Sequence, residues 1–315
     1  MGASPEQTVG GQAVIEGVMM RAPSGWAVAV RLPSGAIETR CEELPRLSSR
    51  SRLARMPFVR GVMVLGESVT LGMRALTWSA QKQAGEEEEE LSKWQLVGSM
   101  SLAVVFFAAV FILGPAAAAD WLAGESRVLF GVYEGVIRLA VFVGYIWLIG
   151  RMDDIKRVFQ YHGAEHKTIH AYEAGDPLSV ANIQRYRPEH PRCGTNFLLI
   201  VLLLAITVFT IIGKGPIWWL ITSRLVFIPV IAGVAYEILR YAGLSADSRF
   251  GKALAVPGLW LQRLTTGQPD DSQVEVAVAS LVAALDDASV DALYERGEVA
   301  VARSVADTPA AAEEE

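Results

Sequence analysis

The chain of 315 residues is 52% hydrophobic with a mean hydropathy of +0.32, yet it carries 28 Lys/Arg and 34 Asp/Glu, so its apolar residues must be gathered into blocks. That pattern points to a membrane protein with soluble parts, since a soluble helical core would need four fully apolar helices inside one small domain. The formal charge is −6, and much of the acid sits in Glu86 to Glu90 and Glu313 to Glu315, so net charge says little about partners beyond giving no sign of a dedicated nucleic-acid binder.

The first residues, "MGASPEQTVGGQAVIEG", lack the basic and apolar regions of a signal peptide, so residues 1–57 are expected in the cytosol. Pro-Ser-Gly at 23–25 and again at 33–35, each followed by alternating residues, predicts a small β-meander with strands at about 12–21, 26–32 and 36–41. Residues 58–84 are apolar on one side but interrupted by Glu67, Arg74 and glycines. They read as an interfacial or re-entrant amphipathic helix, followed by an acidic linker over 85–94.

Four apolar stretches within 95–150 and 196–241 approach the roughly 20 residues needed to cross hydrocarbon. The connections 120–126 and 214–216 are too short to fold, so the spans pair as two transmembrane hairpins. The loop 151–195 holds Arg151, Lys156, Arg157, Lys167, Arg185, Arg187 and Arg192, against Arg127 and Lys214 at the other side. By the positive-inside rule the loop and both termini face the cytosol, as expected of a multi-pass protein of a bacterial inner membrane. Glu134 and Arg224 lie seven residues into their spans from the same side, about 10 Å deep, and suggest an ion pair docking one hairpin on the other. Glu134 and Arg138, four residues apart, equally suit each other. Residues 242–287 read as an interfacial segment and an amphipathic helix, and 288–315 as a largely disordered tail. The expected fold is mainly α: a polytopic membrane protein with four transmembrane helices, an N-terminal β-meander and cytosolic amphipathic helices.

All four histidines, His162, His166, His170 and His190, fall in one short stretch. From Arg151 the spacing is helical, with Ile155, Phe159, His162, His166 and Glu173 on one stripe and Gly175 and Pro177 ending the helix. Imidazoles one turn apart, about 6 Å, can converge on one metal; His162 and His170, about 12 Å apart, cannot. "HGAEH" has the inverted zincin order, in which His162 and His166 bind zinc and Glu165 is the general base. His190, Cys193 and Glu237 are the candidates for a further ligand, with Glu173 the local alternative. Without metal, the histidines would instead hydrogen-bond to Asp153, Asp154, Glu173 or lipid headgroups.

The segments "GGQAVIEGVMMRAP", "PFVRGVMVLGESVTLGMRAL", "KRVFQYHGAEHKTIHAYE", "HPRCGTNFLL", "VPGLWLQRLTT" and "SQVEVAVAS" together resemble, in order and spacing, the YqhQ-like bacterial membrane proteins, a family defined by a domain of unknown function. The resemblance covers about residues 9–285 and implies a four-span inner-membrane protein described as a metal-dependent enzyme. It also draws attention to Gln12 and Glu16, since Gly10 and Gly11 can let the backbone approach the site, with Glu16 a further candidate ligand. The expected function is a metal-dependent, zinc-type hydrolase acting on a lipid or a membrane protein. The alternative is a non-enzymatic assembly or scaffold factor with structural histidines. The bilayer is the expected partner; a second copy, packed through small residues such as Ala116 to Ala119, or another membrane protein are further ones.

Overall fold

A computed structural model describes residues 9–43, 56, 59–84, 93–213, 215–244 and 248–295. The fold is mainly helical, with a four-stranded antiparallel sheet and four helices long and apolar enough to cross a membrane.

The sheet is a meander of β1 (Gly10–Val14), β2 (Gly17–Arg21), β3 (Gly25–Arg31) and β4 (Ile37–Glu43). Where one strand was expected over 12–21, the chain turns after Val14, which pairs with Gly17 across Ile15 and Glu16. Glu16 makes that turn in the left-handed region, at φ 50°, which costs an L residue about 1 kcal/mol. In β2 and β3 alternate side chains enter two cores, and both faces are covered. Val18, Met20, Ala27 and Ala29 face one core; Met19, Trp26, Val28 and Val30 face the other.

The second core is closed by Leu71 and Ala75 of α1 (Val59–Ala84). The start of α1 meets the last of the four apolar helices, since Gly61 sits against Tyr236 and Arg60 is paired with Glu237.

The first apolar span runs through α2 (Lys93–Ala108), a π-helical turn at Ala109–Leu113 and α3 (Gly114–Ala123). The others are α4 (Arg127–Ile149), α7 (Gly194–Ile212) and α8 (Ile217–Leu244). Between the hairpins come α5 (Asp153–Ala174) and the short α6 (Val180–Ile183); after them come α9 (Arg249–Thr265), α10 (Asp271–Ala284) and α11 (Asp287–Glu295). α11 falls where a disordered tail was expected; residues 296–315, and most of the expected acidic linker, lie outside the described residues.

The hairpins meet along α4 and α7, where "GVYEG" places Gly131 against Thr210 and Gly135 against Ile206, so the backbones approach closely. Beside this contact the Glu134 Oε1 accepts from Arg138 Nη2 and from Arg224 Nη2, both at 2.6 Å. The pair across hairpins and the pair within α4 thus coexist. Arg138 Nε also donates to the Phe111 carbonyl in the π-helical turn, where an i→i+5 pattern leaves acceptors free. Arg224 stacks on the Phe209 ring, 4.5 Å from its centroid.

The first core is closed by α10 and α5. A capping box of Asp270 and Gln273 starts α10, and its run of small residues lets it lie close on the sheet, with Ser280 Oγ donating to the Ala27 carbonyl.

Candidate metal centre

α5 begins with Asp153 and Asp154, whose charges suit the positive helix end, and stops at Gly175 in the left-handed region at φ 70°. Its middle, Gly163 to Ile169, is buried all round. A glycine at 163 is what lets the chain at Gly267 cross the helix there. Gly267 N donates to the Phe159 carbonyl at 2.7 Å, and a Cβ on residue 163 would run into the Gly267 carbonyl oxygen.

That crossing puts the Thr265 carbonyl on His162, whose Nδ1 donates to it at 2.8 Å. His166 Nδ1 donates to the Pro188 carbonyl at 2.5 Å. These bonds hold both imidazoles in the tautomer with the proton on Nδ1 and the Nε2 lone pair available, which is how ligating histidines are commonly oriented. Their ring centroids are 4.4 Å apart. Cys193 caps α7, accepting from Thr195, and its Sγ lies 3.3 Å from His162 Nε2. Candidate ligand atoms of His162, His166 and Cys193 lie within 4.8 Å of one another. Tetrahedral zinc holds its donors about 3.3 to 3.8 Å apart, so the set fits after a small contraction, and two nitrogens with one sulfur suit that ion.

Glu165 is 3% exposed, next to Gly11 of β1, whose backbone N–H donates to its carboxyl group, while Oε2 is buried with no partner among the described residues. Burial pushes this carboxyl up to about 8, with the neighbouring His162 pulling down, Cys193 pushing up and Gly11 pulling down. Burial also pushes the Cys193 thiol up and holds His166 well below the usual imidazole range. A divalent cation here would favour the anionic thiolate and carboxylate and use neutral imidazoles.

The other candidates lie outside this ligand set. His190 is 5.7 Å from His166, ring to ring, and 4.4 Å from His170. Its backbone is bracketed by Gln262, its Nδ1 accepts from Arg192 N, and its Nε2 is 3.5 Å from Glu173. Burial lowers its pKa to about 4. Glu173 is also paired with Arg192, and His170 Nε2 donates to the Glu189 carbonyl. Glu237 is away from the cluster, with both oxygens on Arg60 at 2.6 and 2.7 Å. Glu16 binds Arg157 and accepts from Tyr161, and Gln12 packs against Gly72 of α1. Sequence reasoning missed Thr265, Pro188, Gln262 and Gly163. The first two act through backbone carbonyls, which no residue type announces.

A family described as a protein of unknown function, DUF1385, matches residues 56–287. "Uncharacterized protein YqhQ" of Bacillus subtilis (strain 168) is 35% identical over 292 residues, covering 86% of this chain and 90% of that protein. No solved structure matches. By the extent of both likenesses, the chain belongs to the DUF1385 family.

Proposed function

We propose that the chain is a metal-dependent hydrolase of the cytoplasmic membrane, working from its cytosolic face on a lipid or a membrane-protein segment. The supporting observation is the convergence of His162, His166 and Cys193 beside the unpartnered, buried Oε2 of Glu165. A bound divalent ion supplies a Lewis acid and an acidified water. His162 and His166, held in their tautomers by Thr265 and Pro188, would hold the ion with Cys193, and Glu165 would accept at Oε2 the proton that the water gives up. Three protein ligands would leave room for reactants, unlike a closed four-ligand structural site. Membrane placement is supported by exposed Trp94, Trp147 and Tyr241 at one end of the spans and Trp121 and Trp218 at the other.

The test is elemental analysis of purified protein beside a His162→Ala, His166→Ala double variant. Near-stoichiometric zinc, iron or manganese that the variant loses is the expected result; well-folded protein that takes up no metal overturns the reading. A second reading, a scaffold for another membrane protein, is favoured by the open groove of about 580 Å³ between α1 and the sheet, lined by Trp26, Val28, Val69 and Met73. Tolerance of Glu165→Gln in a phenotype assay would support it.

A further inference from the structure

α9 has two unlike faces. Gly251, Gly258, Leu261, Gln262 and Thr265 are buried, whereas Arg249, Lys252, Val256, Trp260 and Arg263 are exposed on the opposite side of the helix. The helix contains no acidic residue, and the nearest carboxylate to Arg263 is Glu189 at 3.9 Å. Arg249 and Lys252 have no ion pair among the described residues. Three cations flanking a tryptophan and a valine make the pattern of a helix lying in anionic headgroups.

The position of α9 argues for the same occupant. It packs on α7 and α8, with Gly258 against Asn196 in the first turn of α7. At that end of the spans lie exposed Trp147, Arg151, Arg240 and Tyr241, so the stripe extends an aromatic and basic rim. The buried face of the same helix carries the supports of the metal centre: Gln262 brackets the His190 backbone and the Thr265 carbonyl holds His162. One rigid element therefore joins the rim to the site.

We propose that the outer face of α9 seats on an anionic phospholipid leaflet, and that this seat holds the wall of the His162, His166 and Cys193 cluster in place. The inference rests on the membrane placement proposed above. It makes the lipid surface a regulator of that site as well as its solvent.

The test uses the full chain with Cys41→Ser, reconstituted in nanodiscs of phosphatidylcholine alone or equimolar with phosphatidylglycerol. A bimane label at Val256→Cys should be quenched by acyl-brominated lipid and shielded from aqueous iodide, more so with phosphatidylglycerol. Reversing Arg249, Lys252 and Arg263 to Glu should abolish the dependence on anionic lipid. A label at Leu102→Cys, 71% exposed on α2, reports span insertion separately. In metal-stripped protein, Cys193 should react with N-ethylmaleimide at least about fivefold more slowly in the anionic discs, the effect of one basic residue at such a surface. A Val256 label open to iodide in both discs, while the Leu102 label is in lipid, overturns the seat and leaves an acidic soluble protein as the fitting partner. If the Leu102 label is also open to iodide, the membrane placement fails with it. Equal maleimide rates in the two discs overturn the coupling.

Discussion

Gly163→Ala sets two opposite effects against each other. Alanine in a helix interior is normally worth about 0.5 to 1 kcal/mol over glycine. At 163, however, the added Cβ meets the Gly267 carbonyl, backbone on the crossing chain, which must retreat by about 1.4 Å or more to reach ordinary contact. That movement is transmitted within two residues to Thr265, so the bond to His162 Nδ1 is lengthened or lost. Removing such support of a ligating imidazole lowers metal affinity about 10- to 100-fold, or about 1.4 to 2.7 kcal/mol. Gly66→Ala is the control, since Gly66 lies in α1 with nothing within 4 Å of its Cβ. Zinc affinity, measured by competition with a fluorescent chelator, and melting temperature in detergent are the two readouts. Gly163→Ala should lose both, while Gly66→Ala keeps its zinc and melts no lower than the parent. If Gly163→Ala binds zinc like the parent and melts as high as Gly66→Ala, the crossing at Gly267 does not position His162.

Three further outcomes are expected. Glu134→Gln should destabilise the protein by about 3 to 5 kcal/mol in a denaturant titration, because two buried guanidinium groups lose their shared carboxylate; adding Arg224→Gln should restore part of the loss, and a single variant within 1 kcal/mol of the parent, about the effect of an exposed pair, would count against this. Glu165 has a folded-state pKa of about 8 against an ordinary 4.5, so the fold binds more protons than the unfolded chain between those values. The stability that Glu165 contributes to metal-free protein should therefore fall as pH rises from 4.5 to 8, by up to about 1.4 kcal/mol per unit, against the rise that buried His166, His170 and His190 give below 6.5; the parent should lose stability relative to Glu165→Gln across that range, and parallel melting profiles would refute it. Cys193→Ala should lose more zinc affinity than the 10- to 100-fold typical of a supporting group, and His190→Ala should stay within that range; the reverse order would make His190 the ligand.

The spans, α5 and its stop at Gly175 were legible because each is a strong local signal: apolar length, helical spacing and a left-handed glycine. Cys193 was legible as a candidate because it follows His190 closely. Glu237 was misplaced because depth along α8 says nothing of lateral position, and helix packing brings it to Arg60. The turn between β1 and β2 was hidden because Ile15 and Glu16 are not turn formers, and Glu16 is held by Arg157 and Tyr161, distant in sequence. The "GVYEG" packing motif went unread beside its more conspicuous glutamate. Gly163 looked like spacing within a histidine motif; its reason lies in a chain segment a hundred residues away.

The packing of α10 on the sheet bears on how the protein is made. Ser280 bonds to Ala27 across 253 residues, so the β2 and β3 face that α10 covers is synthesised long before its cover. At about 5 to 20 residues per second, that face waits roughly 13 to 50 s, while both apolar hairpins are being synthesised. Through that interval the half-built domain is a sheet with one apolar face still uncovered. The unit around that face closes only after the last of the four apolar helices has been made.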